Sequence, residues 1–310
     1  MSPDKYDNLS NYELPEIYSK PLYHTMLEIL EHGIDPFNIL TMFKYEEIQY
    51  NYNLLIRMGV INSLGKITQI GKFIKRIPMG IRNAVALYKW LETGQPVYPG
   101  LVLLTMIDSF GSYFVYPLKK EQSHAEYMME LLNHRKKYYN PLEGKSDIHT
   151  YSNIWNIMLD EIDLSSDFSS ISFERSIDEW SKNNFINSEI LLEVNTVVNG
   201  ILKILQEVVK EERNYDIGSF DTDNTVSLIG PIIADIYSDR MFKIFDNKSV
   251  RIRYFDPLNQ DGKFYKIDSQ QSINNIERNV PEIVYGLITS TISSNYSSDF
   301  HLISCSLVLD

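Results

Sequence analysis

YEEIQYNYNLLIRMGVINSLGKITQIGKFI, residues 45–74, holds two helices and a tight turn between them. Ile48, Tyr52 and Leu55 fall on one face of the first helix, and Gly59 ends it. Short apolar runs then flank Asn62 to Lys66, the pattern of a small β-hairpin, and Thr68 is placed to cap the helix that follows.

Upstream, ELPEIYSKPLYHTMLEILEHGIDPFN (13–38) reads as a helix with both ends marked. Ser19 caps the start, and Pro21 is tolerated in the first turn, where N–H groups lack helical partners. Leu22, Met26, Ile29 and Leu30 share a face. Gly33 supplies a left-handed stop, with Ile34 placed to pack back on the helix and Pro36 just beyond. Helices followed by a tight hairpin are the order of a winged-helix domain, assigned here to 19–72. Residues 1–18 are polar and turn-rich, and read as a linker.

Residues 73–212 read as a helical bundle. Ile81–Leu91, Gly100–Phe110, Ser123–Tyr138, Ile148–Leu159 and Glu189–Val209 each carry apolar residues at helical spacing. The run from Pro96 to Pro117 is about long enough to span a bilayer. Asp108 near its middle, with Ser109, Gly111 and Ser112, predicts a buried helix instead. The acidic stretch 211–224 marks a second boundary. Beyond it, MFKIF, SVRIRYF, KFYKI, EIVYGLITSTI and FHLISCSLVL predict five strands of a small OB-like β-barrel over 213–310. The predicted fold is therefore multidomain α+β: winged helix, helical bundle, then barrel.

The chain has 310 residues and a formal charge of −12, which argues against a generally adhesive nucleic-acid binder but leaves room for a local basic patch. A single cysteine, Cys305, excludes an internal disulfide and any cysteine-rich zinc module. With no signal peptide at the N-terminus, an intracellular protein is expected.

Catalytic motifs are missing. Gly144-Lys145-Ser146 spells the end of a P-loop, but Tyr139 stands where the preceding glycine is needed. His124 and His134 are too far apart on one helix to share a metal, and 216–224 lacks the calcium-loop pattern. What stands out is charge. Lys66, Lys72, Lys75, Arg76, Arg82 and Lys89 lie in a stretch without an acidic residue. Arg135, Lys136 and Lys137 form a second cluster, and Lys248, Arg251 and Arg253 a third, beside Tyr254 and Phe255. Basic and aromatic groups together can hold a single strand by phosphate contact and base stacking. Each cluster can equally be a solvated face with stems covering apolar surface.

The order of parts resembles the C-terminal half of the DEAH/RHA family of ATP-dependent RNA helicases. Tyr6, Leu9, Pro15, Glu16 and Ile17, then Gly33, Ile34, Asp35 and Pro36, are similar to the segment leading out of the family's second RecA-like motor domain. Gly59, Thr68, Gly71, Pro78 and Arg82 match its Thr-x-x-Gly … Pro-Leu-Asp-Pro-Arg signature, with Gly80 and Ile81 replacing Asp-Pro. Ser146, Asp147 and Trp155 resemble its Ser-Asp-His-Leu element. Trp180, Asn184, Phe185 and Asn187 match its Trp-Cys-x-x-Asn-Phe-Leu-Asn helix, with Ser181 in place of the cysteine. Val284 and Tyr285 match a barrel strand, while Gly286 and Leu287 replace the usual His-Glu.

The resemblance implies an auxiliary module of such a helicase that lines a channel for single-stranded RNA. Its partners would be RecA-like motor domains, in cis or in trans, and the RNA, with no membrane. It implies no cofactor in this chain, since ATP and Mg²⁺ belong to the motor domains. Lys72, Lys75, Arg76 and Arg82 are expected near the winged-helix/bundle junction and Arg251 and Arg253 on the barrel, as phosphate contacts. Arg82 has an alternative role, pairing with a buried carboxylate. A stand-alone adaptor without RNA affinity is the other reading of the whole chain.

Overall fold

The computed structural model describes residues 22–109, 113–115, 123–138, 147–162, 171–208 and 222–238, and the backbone of seven strand segments between 241 and 307. The chain divides into two units, Met1–Arg76 and Ile77–Asp310.

In the first unit, α1 (Leu22–Glu31), α2 (Pro36–Ile39) and α3 (Tyr45–Arg57) pack together and are followed by a hairpin and the short α4 (Gln69–Ile74). Leu22, Met26, Leu27, Leu40, Ile48, Leu54, Leu55, Val60, Ile61, Phe73 and Ile74 form the core. Gly33 (φ +70°) and Gly59 (φ +70°) take the left-handed conformation that stops α1 and α3. The stop after α1 is a Schellman-type closure, with Ile34 N–H donating to Ile29 O at 3.3 Å. Ile34 itself is 43% exposed, so the expected back-packing is partial. Thr68 does two jobs. Its Oγ1 accepts from Gly71 N (3.2 Å), capping α4, and donates to Gly59 O (2.6 Å), tying the cap to the end of α3. Gly71 lies so close to Val60 O and Ile67 Cγ2 that a Cβ there would collide with both.

The second unit is built on α6 (Val97–Asp108), in which Val97 through Ile107 are all buried. A helix apolar all round needs partners on every side. They are α5 (Ile81–Glu92), α8 (Asp147–Glu161), α10 (Ser188–Val208) and α11 (Thr222–Ile236). No helix among the described residues is long and apolar enough to cross a membrane. α5 and α6 approach closely because Gly100 has no side chain: the Trp90 indole occupies that space and donates to Pro96 O at 3.0 Å. Trp155 of α8 donates to Tyr98 Oη at 3.2 Å, and burial pushes the Tyr98 phenol well above its usual pKa.

α7 (His124–Arg135) continues into a 3-10 turn, Lys136–Tyr138. α9 (Ile171–Asn184) joins α10 through Phe185, whose φ of +55° is left-handed. Asn187 Oδ1 accepts from Glu189 N at 3.1 Å across the first turn of α10. The same junction holds a short extended segment, with Val115 N donating to Phe185 O and Asn187 N to Tyr113 O, both 2.8 Å. The family-like residues Trp180, Asn184, Phe185 and Asn187 are thus the parts of one helix-to-helix corner.

The predicted fold class needs correction. Between 22 and 238 the described residues are helical, with only two isolated bridges, Ile61↔Ile67 and Phe114↔Ile186. Residues 222–236, placed in the barrel by the sequence reading, form α11. Its Val226, Ile229, Ile233 and Ile236 are buried, and it packs against α5 and α8. Beyond it, β1 (Met241–Asp246), β2 (Arg253–Phe255), β3 (Phe264–Ile267), β4 (Val284–Leu287), β5 (Ile292–Ser293), β6 (Phe300–Leu302) and β7 (Cys305–Leu307) form a sheet of order β5-β6-β3-β2-β1-β4-β7. All neighbours are antiparallel except β3 and β6. Among the described residues β5 and β7 are edges that do not pair with each other, so the described strands form an open sheet and not the expected OB-like barrel. Closure needs strands long enough to tilt and stagger around a ring, and segments of two to six residues do not supply that.

Candidate nucleic-acid interface

The six cations singled out from the sequence have different fates. Lys72, Lys75 and Arg76 stand at positions i, i+3 and i+4 around the end of α4, on one face, while Phe73 and Ile74 between them turn inward. All three are exposed. Cations are favoured here by the carbonyl end of the helix. Lys75 forms an ion pair with Glu31 of α1. Lys72 and Arg76 form none among the described residues, and neither does Lys66 on the preceding hairpin. Lys66 belongs to the sequence cluster, but its place on the hairpin was not among the expected contacts.

The hairpin is held by backbone and side chain together. Asn62 N donates to Lys66 O (2.9 Å), and Gly65 N donates to Asn62 O (2.9 Å). The Asn62 side-chain oxygen accepts from Leu64 N (3.0 Å) and Lys66 N (2.9 Å). One asparagine therefore organises the turn and fixes where Lys66 leaves it.

Arg82 lies in the second unit and is 7% exposed. Its Nη1 donates to Ile236 O at 2.8 Å, and its guanidinium carbon lies 5.2 Å from the Tyr237 ring centroid. The arginine thus caps the carbonyl end of α11. Around it, Tyr237 Oη donates to Asn83 Oδ1 (2.9 Å), Asn83 Nδ2 to Asp108 Oδ1 (2.9 Å), and Gly80 N to Asp108 Oδ2 (2.8 Å). Buried at this corner, with Ile236 O among its acceptors, Arg82 holds a structural position in the second unit. Asp108, the carboxylate of this network, accepts from both Asn83 and Gly80. Nothing in the sequence pattern pointed to Asn83 or Tyr237, because their partners are 154 residues apart in the chain.

Two members of the second basic cluster, Arg135 and Lys137, are also committed internally, while Lys136 is exposed. Arg135 is buried with its guanidinium 4.7 Å from the Phe114 ring centroid. Lys137 donates to Asn184 Oδ1 (2.9 Å) and pairs with Glu161 at 3.3 Å. Glu161 also accepts from the Trp180 indole at 2.8 Å, and these partners, Trp180 first, hold its carboxyl below the usual range. Lys89 pairs with Asp235 at 2.6 Å. Of the third cluster, Lys248 and Arg251 lie outside the described residues, and Arg253 begins β2, opposite Asp246. Among the described residues no group of His, Cys, Asp and Glu could hold a metal ion.

The first unit presents a cationic surface, made by Lys66, Lys72 and Arg76 with Lys75 beside them. No family model matches the chain. The chain is similar to an uncharacterised protein of Acanthamoeba polyphaga mimivirus, 26% identical over 137 residues, which is 43% of this chain and 18% of that protein. The matched stretch is thus less than a fifth of the relative's length.

Proposed function

We propose that this chain is a non-catalytic auxiliary module of a DEAH/RHA-type RNA helicase, and that its first unit forms part of the path of single-stranded RNA. The observation that carries the reading is the exposed set Lys66, Lys72 and Arg76 on a helix-and-hairpin scaffold, in a stretch without an acidic residue from Ile48 to Leu91. Such cations bind phosphate without reading sequence. The helicase half of the proposal rests on the ordered family-like motifs and is an analogy. ATP and Mg²⁺ would be held by RecA-like motor domains acting with this chain.

Fluorescence anisotropy with a labelled single strand tests the RNA contact. Three phosphate contacts predict that raising salt from about 50 to 200 mM weakens binding about 20-fold, and the Lys72→Gln/Arg76→Gln double variant reduces that factor to about 3-fold. Absence of binding at the lower salt overturns the proposal. It would favour the second reading, an adaptor that docks on a helicase or transcription complex, for which Ile39, Met42 and Tyr45, each at least 50% exposed on the same unit, are the supporting observation.

A further inference from the structure

Among the large apolar side chains described, Leu64 is the most exposed, at 78%, and it occupies the tip of the hairpin. An exposed leucine on a loose loop would mean little. This one is presented by a turn that has little freedom. Asn62 engages both Leu64 N and Lys66 N through its side chain, Gly65 N closes on Asn62 O, and the Ile61↔Ile67 bridge holds the base. Gly65 sits at φ +73°, and a Cβ there would lie 2.5 Å from the Tyr52 hydroxyl of α3. The turn is therefore seated on the helical body and has nowhere to fold back.

The neighbours of Leu64 in sequence and fold decide what it meets. Lys66 follows two residues later, and Lys72 and Arg76 project from the helix that packs under the hairpin through Gly71, Ile67 and Val60. An exposed apolar point on a unit whose exposed cations Lys66, Lys72 and Arg76 form no ion pair among the described residues is a poor match for another apolar protein surface and a good match for bases flanked by phosphates.

We propose that the hairpin 62–66 is a nucleic-acid wedge. Leu64 packs against the last base pair, or between the first unpaired bases, where a duplex opens into a single strand, while Lys66, Lys72 and Arg76 hold the adjoining phosphates. The proposal rests on the RNA-path reading above and adds to it a preference for junctions. Such insertion lowers the cost of unstacking by covering the exposed base face with an apolar side chain.

The test uses the whole chain with a short RNA duplex bearing a 3′ single-stranded tail and 2-aminopurine at the last paired position. Saturating wild-type protein should raise the 2-aminopurine fluorescence as the base unstacks. Leu64→Ala should lose most of that rise while its affinity for a plain single strand changes less than about 2-fold, and Leu64→Met should retain it. Circular dichroism confirms that the variants stay folded, which their solvent-exposed position favours. A rise that ignores Leu64→Ala overturns the wedge while leaving the RNA-path reading intact, and hands the hairpin tip to a protein contact. Equal loss of single-strand and junction binding by Leu64→Ala also overturns it, because Leu64 is then a general contact. Failure of the wild-type chain to bind any RNA overturns both readings together.

Discussion

Two glycine-to-alanine substitutions in helices should change stability in opposite directions, and only space decides the sign. Gly200 lies on the exposed side of α10, and an added Cβ would meet nothing within 4 Å. Gly200→Ala should therefore stabilise by about 0.5–1 kcal/mol, from reduced unfolded-chain freedom and better helix propensity. Gly100 lies where α6 passes α5. A Cβ there would lie 2.5 Å from Trp90 Cε2 and 2.6 Å from its Cδ1, with Nε1 closer still. Trp90 is 1% exposed, so the ring cannot move aside into solvent without leaving the core.

Overpacking of this kind costs ~1–3 kcal/mol, and displacing the indole sacrifices its hydrogen bond to Pro96 O, worth ~1 kcal/mol. After the propensity gain, Gly100→Ala should be less stable by about 2–3 kcal/mol, a fall of roughly 4–12 °C in Tm. Urea titration followed by circular dichroism measures both variants against wild type. Trp90→Phe removes part of the obstructing ring, so in that background Gly100→Ala should cost less than about 1 kcal/mol, a coupling of at least ~1 kcal/mol. If Gly100→Ala matched Gly200→Ala, or if Trp90→Phe left its cost unchanged, the close crossing of α5 and α6 would be wrong.

Arg82→Met should lower stability by about 2–3 kcal/mol, because Ile236 O and the end of α11 lose a charged donor, while RNA affinity of the folded protein changes less than about 2-fold. A 5-fold or larger loss of affinity at unchanged Tm would return Arg82 to the RNA surface. Ser181 Oγ is buried with no hydrogen-bond partner among the described residues, so Ser181→Ala should stabilise by about 0.5–1 kcal/mol in thermal melts, and a loss would mean that the hydroxyl is bonded. Glu161 has a folded pKa below its unfolded value. Its contribution is therefore present above the ordinary carboxylate pKa of ~4.3 and disappears as pH falls through the lower folded value. Glu161→Gln should flatten the acid side of the urea midpoint–pH curve below about pH 4.3, by a small amount because the side chain is 45% exposed. An unchanged slope refutes the Trp180–Glu161–Lys137 linkage.

Local signals in the sequence were legible wherever the chemistry is local. Gly33 and Gly59 stop their helices because a left-handed residue must follow, and Thr68 caps because its hydroxyl reaches Gly71 N. The apolar run around Leu101–Ile107 is the central helix, as its interrupting Asp108 suggested, and Asp108 turned out to organise the start of α5. α11 was missed even though Val226, Ile229, Ile233 and Ile236 have helical spacing. Its β-branched residues, Gly230 and Pro231 favour strand and turn by intrinsic preference, and burial against α5 and α8 overrides that preference. At the candidate site, the basic stretch and a second, structural role for Arg82 were legible in the sequence, but the contact with Ile236 was not. Arg82 differs from Lys72 by what lies 154 residues further along the chain, which no local pattern encodes.

An overall charge of −12 opposes nucleic-acid contact only if it is spread evenly, and it is not. Residues 1–76 hold eight Lys/Arg against nine Asp/Glu, so this unit is nearly neutral and the rest of the negative charge belongs to 77–310. Within the first unit the signs separate along the chain. Its acidic residues stop at Glu47, and Arg57, Lys66, Lys72, Lys75 and Arg76 all follow. At physiological ionic strength fields decay over ~8 Å, so a phosphate at the end of α4 responds to Lys72, Arg76 and the Lys75–Glu31 pair beside them far more than to distant charges. Lower salt acts in two opposed ways. Counterion release strengthens each phosphate contact, while a screening length that grows to ~30 Å at 0.01 M lets more of the chain's net negative charge act on the strand. Affinity should therefore rise as salt falls and then level off, where a uniformly basic surface would follow a straight line on logarithmic axes. A line that stayed straight to the lowest salt would mean that the acidic residues never come within reach of the bound strand.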